Sequence, residues 1–201
     1  MNIHQNKNGE KFMVQDSQIN ILEGQIRECF GRVVWSHKTQ EKCADIVSDR
    51  NNCIKTVQII LSALITTGIL VTIAGDCKVV SVITAIISTL LVAINTFLKG
   101  TDLGEIAQKH SDAASKLWNI REKYLSLITD INIGEISIED MIERRDELQE
   151  ELFNVYLGSP RTINKAYKKA KEALKLNEEL TISEEEIDML LPIQLRKSIS
   201  S

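Results

Sequence analysis

A long apolar stretch, interrupted by one short polar turn, dominates the pattern of the chain. Residues 57–74 and 79–98 contain no ionisable side chain, and only residues 75–78 (Gly-Asp-Cys-Lys) separate them. At 1.5 Å per helical residue the two arms span about 27 and 30 Å, which is the thickness of the hydrocarbon core of a bilayer. A four-residue link favours an antiparallel pair of helices. The pattern therefore predicts a transmembrane hairpin over residues 57–98.

Two other arrangements fit the same apolar arms. A large soluble helical bundle could bury the hairpin at its centre, although uncharged runs of this length are rare in core helices. Alternatively, a soluble bundle hides the hairpin and releases it into a membrane when triggered, as pore-forming colicins do. The membrane-inserted hairpin is the arrangement that the length and the absence of charge favour.

Small polar residues recur at helical spacing in both arms. They are Gln58, Ser62 and Thr66 in the first arm, and Ser81, Thr84, Ser88 and Asn95 in the second. Such residues let two helices approach closely and hydrogen-bond, so hairpin packing is one interpretation. The other is the lining of a narrow pore formed by several hairpins.

Apolar seams with alternating steps of three and four residues flank the hairpin, as in coiled-coil packing. Their members are Ile19, Leu22, Ile26, Cys29 and Val33 before it, and Leu103, Ile106, His110, Ala113, Leu117, Ile120, Tyr124 and Leu127 after it. We expect a polar leader over residues 1–15, a cytosolic helix over 16–56 capped at Asp16–Ser17, and a returning cytosolic helix over 99–130 that follows a break at residues 99–102. Together they predict an antiparallel cytosolic stalk.

Distance from the turn predicts which residues of this stalk lie level. Equal spacing from the turn pairs Gln58 with Asn95 at the inner edge of the membrane. It also pairs Trp35 with Trp118, and Cys43 with His110, in the stalk. Trp35, Trp118 and His110 are therefore candidate stalk contacts.

The remaining segment, residues 131–197, reads as further amphipathic cytosolic helices, with a disordered tail over 198–201. Ser137 opens a helix to about residue 157 that has an acidic face. Ser159 and Pro160 predict that a second helix begins at Arg161 and runs to about residue 176. This helix has a basic face, which we predict to contact either lipid headgroups or an acidic partner. The basic residues are Arg161, Lys165, Lys168, Lys169, Lys171 and Lys175. Ser183 caps a last short helix that Pro192 ends, and its apolar residues are predicted to dock onto the stalk.

Composition and motifs restrict the chemistry. The net charge is -4 and only three histidines are present. The chain shows no phosphate-binding loop, nucleophile motif or metal-ligand spacing, so we predict no enzyme, no metal and no cofactor. His37 and Glu41 lie one turn apart, and we expect an ordinary solvated helix face there. The four cysteines are expected to be reduced.

Lysine and arginine flank the outer ends of the arms, with Lys78 alone in the turn, which predicts that both termini are cytoplasmic.

Two segments carry a resemblance to a known family. Residues 34–45 (VWSHKTQEKCAD) and 186–196 (EIDMLLPIQLR), taken with the short-looped hairpin, resemble the SLATT family, whose members are two-transmembrane effector domains of bacterial nucleotide-signalling and other anti-phage conflict systems. The resemblance implies an inner-membrane effector that oligomerises through its hairpin and permeabilises or depolarises the membrane in abortive infection. It also implies a separately encoded sensor or enzyme as partner. Direct nucleic-acid binding is not expected from a single basic face.

The residues by themselves leave other functions open. The hairpin could anchor a scaffold or partner-binding module that never conducts, or it could belong to the triggered, colicin-like class. The pore-forming effector and the non-conducting anchor share the same predicted all-α fold, with a hairpin, a stalk and C-terminal amphipathic helices.

Overall fold

The computed structural model describes residues 3–75 and 77–197, with side chains from Ser17 onward. Over these ranges the chain is helical and contains no strand. The helices are α1 (Ile3–Ala74), α2 (Lys78–Lys99), α3 (Leu103–Ile133), α4 (Ile138–Gly158), α5 (Asn164–Lys175) and α6 (Glu184–Leu190), followed by a 3-10 turn over Ile193–Leu195. The all-α prediction is confirmed.

A single helix carries both the first half of the stalk and the first apolar arm. α1 is 72 residues long and begins at Ile3, so the predicted cap at Asp16–Ser17 is wrong and the polar leader is helical from Ile3. Neither proline of the chain lies in this segment, since both follow residue 158. The backbone therefore has no obligatory break before the turn at Gly75.

α2 returns along α1 and completes the hairpin. Two helical segments are long and apolar enough to cross a membrane, and none of the residues in the most apolar window of either one is buried by the described chain. Such a surface is unfavourable in water and suits hydrocarbon. The other helices do not hide the hairpin, so this structure does not match an arrangement in which a soluble bundle covers it.

The stalk is built by α1 and α3, with α4 packed beside them. Leu22, Ile26, Cys29 and Val33 of α1 lie in one buried cluster with the α3 residues Leu117, Ile120, Tyr124, Leu127 and Ile131, and α4 adds Met141, Leu148 and Val155. Both predicted seams therefore supply this core. Leu103 and Ile106, at the membrane end of α3, are only half-buried.

The break between α2 and α3 is confirmed, and it displaces the stalk contacts. α2 ends at Lys99, and Asp102 caps α3 by accepting a hydrogen bond from the Glu105 backbone N–H at 2.9 Å. Non-helical residues advance up to about 3.3 Å each, against 1.5 Å in a helix, so the chain reaches a given height in fewer residues. His110 bonds to Gln40, which lies about one turn further along α1 from the membrane than Cys43.

The C-terminal helices depart from prediction at two points. Ser159 ends α4, its hydroxyl donating to the Val155 carbonyl at 2.6 Å, and the chain stays extended until Asn164, so the predicted helix start at Arg161 is wrong. The α6 capping box at Ser183 and Glu186 is confirmed. Its apolar neighbours do not dock onto the stalk, since Met189, Leu190 and Ile193 are each more than 60% exposed. The predicted disordered tail lies outside the described residues.

Candidate functional site

An amide pair joins the two membrane arms near the end away from the turn. The Gln58 Nε2 donates to the Asn95 Oδ1 at 2.6 Å, which confirms the pairing that equal distance from the turn predicts. An amide left unpaired in hydrocarbon would be unfavourable, and each of these groups supplies the other with a partner. The contact fixes how one arm lies against the other.

Nearer the turn, small residues bring the arms into close contact. A Cβ added to Gly68 would lie 2.1 Å from the Oγ1 of Thr84, so only glycine fits there. One helical turn on, the Ser81 hydroxyl donates to the Thr72 Oγ1 at 3.4 Å. Thr84 and Ser81 therefore belong to hairpin packing. Gly68 was not among the residues predicted from sequence, although a lone glycine level with Thr84 is a readable signal of close approach.

The remaining predicted polar residues lie on one side of the hairpin. Ser62 and Thr66 are exposed, and each hydroxyl donates to the carbonyl one turn earlier. At about 100° per residue they lie beside Gln58 on the edge of α1 that meets Asn95. Ser88 and Ser81 continue from Asn95 at seven-residue steps along the matching edge of α2.

The opposite side of the hairpin is apolar. By the same helical spacing it carries Val57, Ile60, Leu64 and Val71 from α1, and Ile83, Ile87, Leu90, Ile94 and Phe97 from α2. Most of these side chains are exposed in the single chain. The hairpin is thus two-faced, with both amides and several hydroxyl groups on one side and mainly hydrocarbon on the other, where Thr67 is an exception.

A buried polar layer lies in the stalk on the membrane side of the apolar core. The His110 Nδ1–H donates to the Gln40 Oε1 at 2.5 Å, and the Gln40 Nε2 donates to the Pro160 carbonyl at 3.3 Å. Burial lowers the pKa of His110. The His37 Nδ1–H donates to the Ala114 carbonyl at 3.0 Å, and its Nε2 lies 3.6 Å from Glu41. His37 is 5% exposed, so the predicted solvated face is wrong there.

Beside this layer, a cleft of about 550 Å³ opens between α1 and α3. Lys38 is buried in its wall and contacts two carboxylates, Glu41 at 2.9 Å and Glu179 at 2.8 Å. Burial would lower the pKa of Lys38, but the hydrogen bonds to Glu179 and Glu41 outweigh burial and raise it. Lys42 also pairs with Glu179, at 3.3 Å. The hydrogen bonds from Lys38 and Lys42 lower the pKa of Glu179 to about 2.

The two tryptophans occupy different surroundings. Trp35 stacks on Tyr167 of α5 with ring centroids 5.6 Å apart, and the Lys175 Nζ lies 5.8 Å from the Trp35 ring centre. Trp118 is half exposed and lines the cleft. Within the described residues Trp35 therefore contacts α5 rather than Trp118.

The basic face of α5 is exposed to solvent. Ala166, Ala170 and Ala173 pack this helix onto α1, while the predicted basic residues Arg161, Lys165, Lys168, Lys169, Lys171 and Lys175 are all exposed. Among the described residues no ion pair joins them to the acidic helix α4. Trp35, against which α5 packs, precedes the first membrane residue by 22 positions, or about 33 Å of helix. An acidic partner therefore remains a prediction, and a headgroup contact would need this helix to approach the bilayer.

Comparison with models of protein families assigns residues 22–186 to the SMODS and SLOG-associating 2TM effector domain family 4. The chain belongs to this family. The SLATT resemblance seen in the sequence is thereby confirmed, and the match covers the stalk, the hairpin, α4 and α5. The closing residues 187–196, part of the second resembling segment, lie beyond it. Comparisons with the curated proteins and with the solved structures gave no match.

Because it belongs to the SLATT family, this chain is a membrane protein with a two-helix hairpin. It is also an effector domain of conflict systems. Over the described residues no group of three or more histidine, cysteine or acidic side chains could hold a metal ion. The four cysteines are free, with Cys29 and Cys43 buried and Cys53 and Cys77 exposed. Three features are therefore candidates for function: the two-faced hairpin, the cleft between α1 and α3 in the stalk, and the basic face of α5.

Proposed function

We propose that this SLATT chain permeabilises or depolarises the bacterial inner membrane during anti-phage defence, by associating with further copies through its hairpin. A single hairpin encloses no path, so the activity requires an oligomer. Both termini lie in the cytoplasm, where a separately encoded sensor or enzyme of the same defence system controls the assembly. Activation leads to abortive infection of the cell.

The two-faced hairpin is the observation that carries this proposal. A monomeric anchor surrounded by lipid gains nothing from concentrating its amide groups and several hydroxyl groups along one side. Ser62 and Thr66 contact neither α2 nor the stalk through their hydroxyls, which donate only within α1. In an assembly that turns this side inward, the same groups line a shared polar centre, and the apolar side faces lipid.

The membrane potential of expressing cells tests the proposal. We expect the wild-type chain to depolarise the membrane when its partner is co-expressed and the system is activated by infection. Ser62→Leu with Thr66→Leu removes both exposed α1 hydroxyl groups from the polar side without touching the Gln58–Asn95 bond. This double variant should insert normally and depolarise at least about tenfold less, because leucine blocks and dehydrates a narrow path.

Thr67→Leu is the matched control. Thr67 has the same hydroxyl-to-carbonyl bond, to Ala63 at 3.0 Å, but lies on the side of α1 opposite Gln58. It should retain wild-type depolarisation at equal membrane abundance. Equal activity of the double variant and the wild type would contradict the pore and favour a non-conducting anchor.

A further inference from the structure

The cleft between α1 and α3 brings together three cationic side chains and two hydroxyl groups. Lys38, Lys42 and Arg121 line it together with the hydroxyls of Ser111 and Ser115. Glu41 and Asp45 supply two carboxylates at its wall. The Arg121 Nε is buried and has no hydrogen-bond partner within the described protein. Among the lining residues these three cations exceed the two carboxylates by one charge, and Glu122, outside the lining, lies 3.5 Å from the Arg121 Nη1.

Glu179 neutralises the cleft from the outside. It reaches Lys38 and Lys42 from the loop between α5 and α6, and Leu180 of the same loop also lines the cleft. The neighbouring Glu178 has a φ of 51°, a left-handed conformation that a residue with a side chain adopts at a cost. The loop is thus held in an unfavourable backbone conformation while its carboxylate occupies the two amines.

We propose that this cleft is a binding site for a phosphate-bearing small molecule, and that Glu179 is an internal substitute for the phosphate. The Lys38 and Lys42 amines converge on one Glu179 oxygen, at 2.8 and 3.3 Å, as amines do on a phosphate oxygen, and Arg121 lines the same cleft. The volume of about 550 Å³ is that of a small-molecule site and exceeds what one phosphate fills. The half-exposed ring of Trp118 offers a flat apolar surface for the remainder of the ligand.

Binding would change the chain beyond the cleft. A phosphate that takes Lys38 and Lys42 releases Glu179, and with it the loop that joins α5 to α6. This regulatory consequence rests on the proposed effector function. The binding step does not, and it can be measured without any membrane activity.

The test titrates inorganic pyrophosphate into the full chain in detergent and measures heat. The wild type should bind weakly, because the ligand must displace Glu179. Glu179→Gln should bind about fivefold more tightly, since the competing ion pairs are lost. Adding Lys42→Gln to Glu179→Gln should abolish the gain. Glu150→Gln, which removes an exposed charge on α4, is the matched control and should behave as the wild type.

Binding of phenyl phosphate tests whether the Trp118 ring contacts the part of the ligand beyond the phosphate. Trp118→Ala should weaken phenyl phosphate binding and leave pyrophosphate binding unchanged, and its half-exposed position makes loss of folding a poor explanation for such a difference. Absence of pyrophosphate binding in both the wild type and Glu179→Gln would overturn the proposal. Equal affinity in those two proteins would overturn the role of Glu179. Either result leaves the depolarisation assay unaffected, so failure here is distinct from failure of the proposed function.

Discussion

Gly68 determines how closely the two membrane arms approach. A methyl group at this position would overlap the Thr84 hydroxyl and would also lie 3.2 Å from both the Cβ and the Cγ2 of Thr84. Rotation of Thr84 would move its hydroxyl away but would leave its Cβ at 3.2 Å, so the arms would have to separate by a few tenths of an ångström. In hydrocarbon, close packing is the main attraction between helices, so the separation removes favourable contacts along the whole hairpin.

We expect Gly68→Ala to destabilise the hairpin by about 1 to 3 kcal/mol, as overpacking of a tight contact does. The measurement is thermal unfolding of the full chain in detergent. Gly24→Ala is the control, because nothing lies within 4 Å of its added methyl group and alanine is the better helix former. That control should be stabilised by about 0.5 to 1 kcal/mol. An unchanged Gly68→Ala protein would contradict the close packing.

His110 makes the stalk sensitive to pH. Burial lowers its pKa from the ordinary 6.5, so below that value the unfolded chain binds a proton more readily than the folded chain. The contribution of neutral His110 is complete above pH 6.5 and is lost as pH falls towards the folded pKa. Glu179, with a pKa of about 2, adds pH dependence only between about 4.5 and 2.

The unfolding temperature should therefore fall between about pH 7.5 and pH 5.5, and His110→Gln should flatten that change. Glutamine keeps a polar group beside Gln40 without titrating in this range. A pH profile that is the same in both proteins would show that His110 is not the group responsible.

Some of these residues were readable in the sequence and others were not. Gln58 and Asn95 could be paired because an uninterrupted helical hairpin fixes their heights. The contact of Lys38 with Glu179 could not, because the two residues lie 141 positions apart and Glu179 belongs to a loop without periodicity. His37 was expected on a solvated face because the sequence offers no second pair of ligands at metal-binding spacing, whereas α3 covers it in the fold.

At the scale of helices, the short break between α2 and α3 decides which stalk residues meet. The sequence located the break at residues 99–102 but not its effect on height, which depends on how far the non-helical residues extend. It also placed the start of α5 three residues early, because Ser159 serves the end of α4 instead. The periodicity of the sequence predicted that the helices exist. Their ends could not be predicted as well, because one side chain, such as Ser159, can cap either of two neighbouring helices.

The Asp102 cap provides a test of this junction. Asp102→Ala leaves the Glu105 backbone N–H without its acceptor and should reduce the stability of the stalk by about 1 kcal/mol. Asp102→Asn keeps the acceptor oxygen and should remain within a few tenths of a kcal/mol of wild type. Equal loss in both variants in thermal unfolding would indicate that charge, rather than capping, matters there.

For the whole molecule, the exposed cysteines report its orientation in the membrane. Cys77 follows the turn at the far end of the hairpin, and Cys53 precedes the first arm. With both termini cytoplasmic, a membrane-impermeant maleimide added to spheroplasts should label Cys77 and spare Cys53 until the membrane is opened. Buried Cys43, whose pKa is raised by burial, should react only after denaturation. Labelling of Cys53 in intact spheroplasts would show that the orientation is the opposite of the one proposed.

The central claim is that copies of this chain meet through the polar side of the hairpin. The most direct measurement is thiol cross-linking in membranes of activated cells, with Ser62→Cys and Thr67→Cys each introduced into a chain whose native cysteines are replaced by serine or alanine. The two positions are five residues, or about 7.5 Å, apart along one helix and about 140° apart around it, so both lie within the hydrocarbon core and on different sides of the helix. We expect a short bis-maleimide to give covalent oligomers from Ser62→Cys and monomers from Thr67→Cys. Monomers from Ser62→Cys, or equal oligomers from both, would contradict the account.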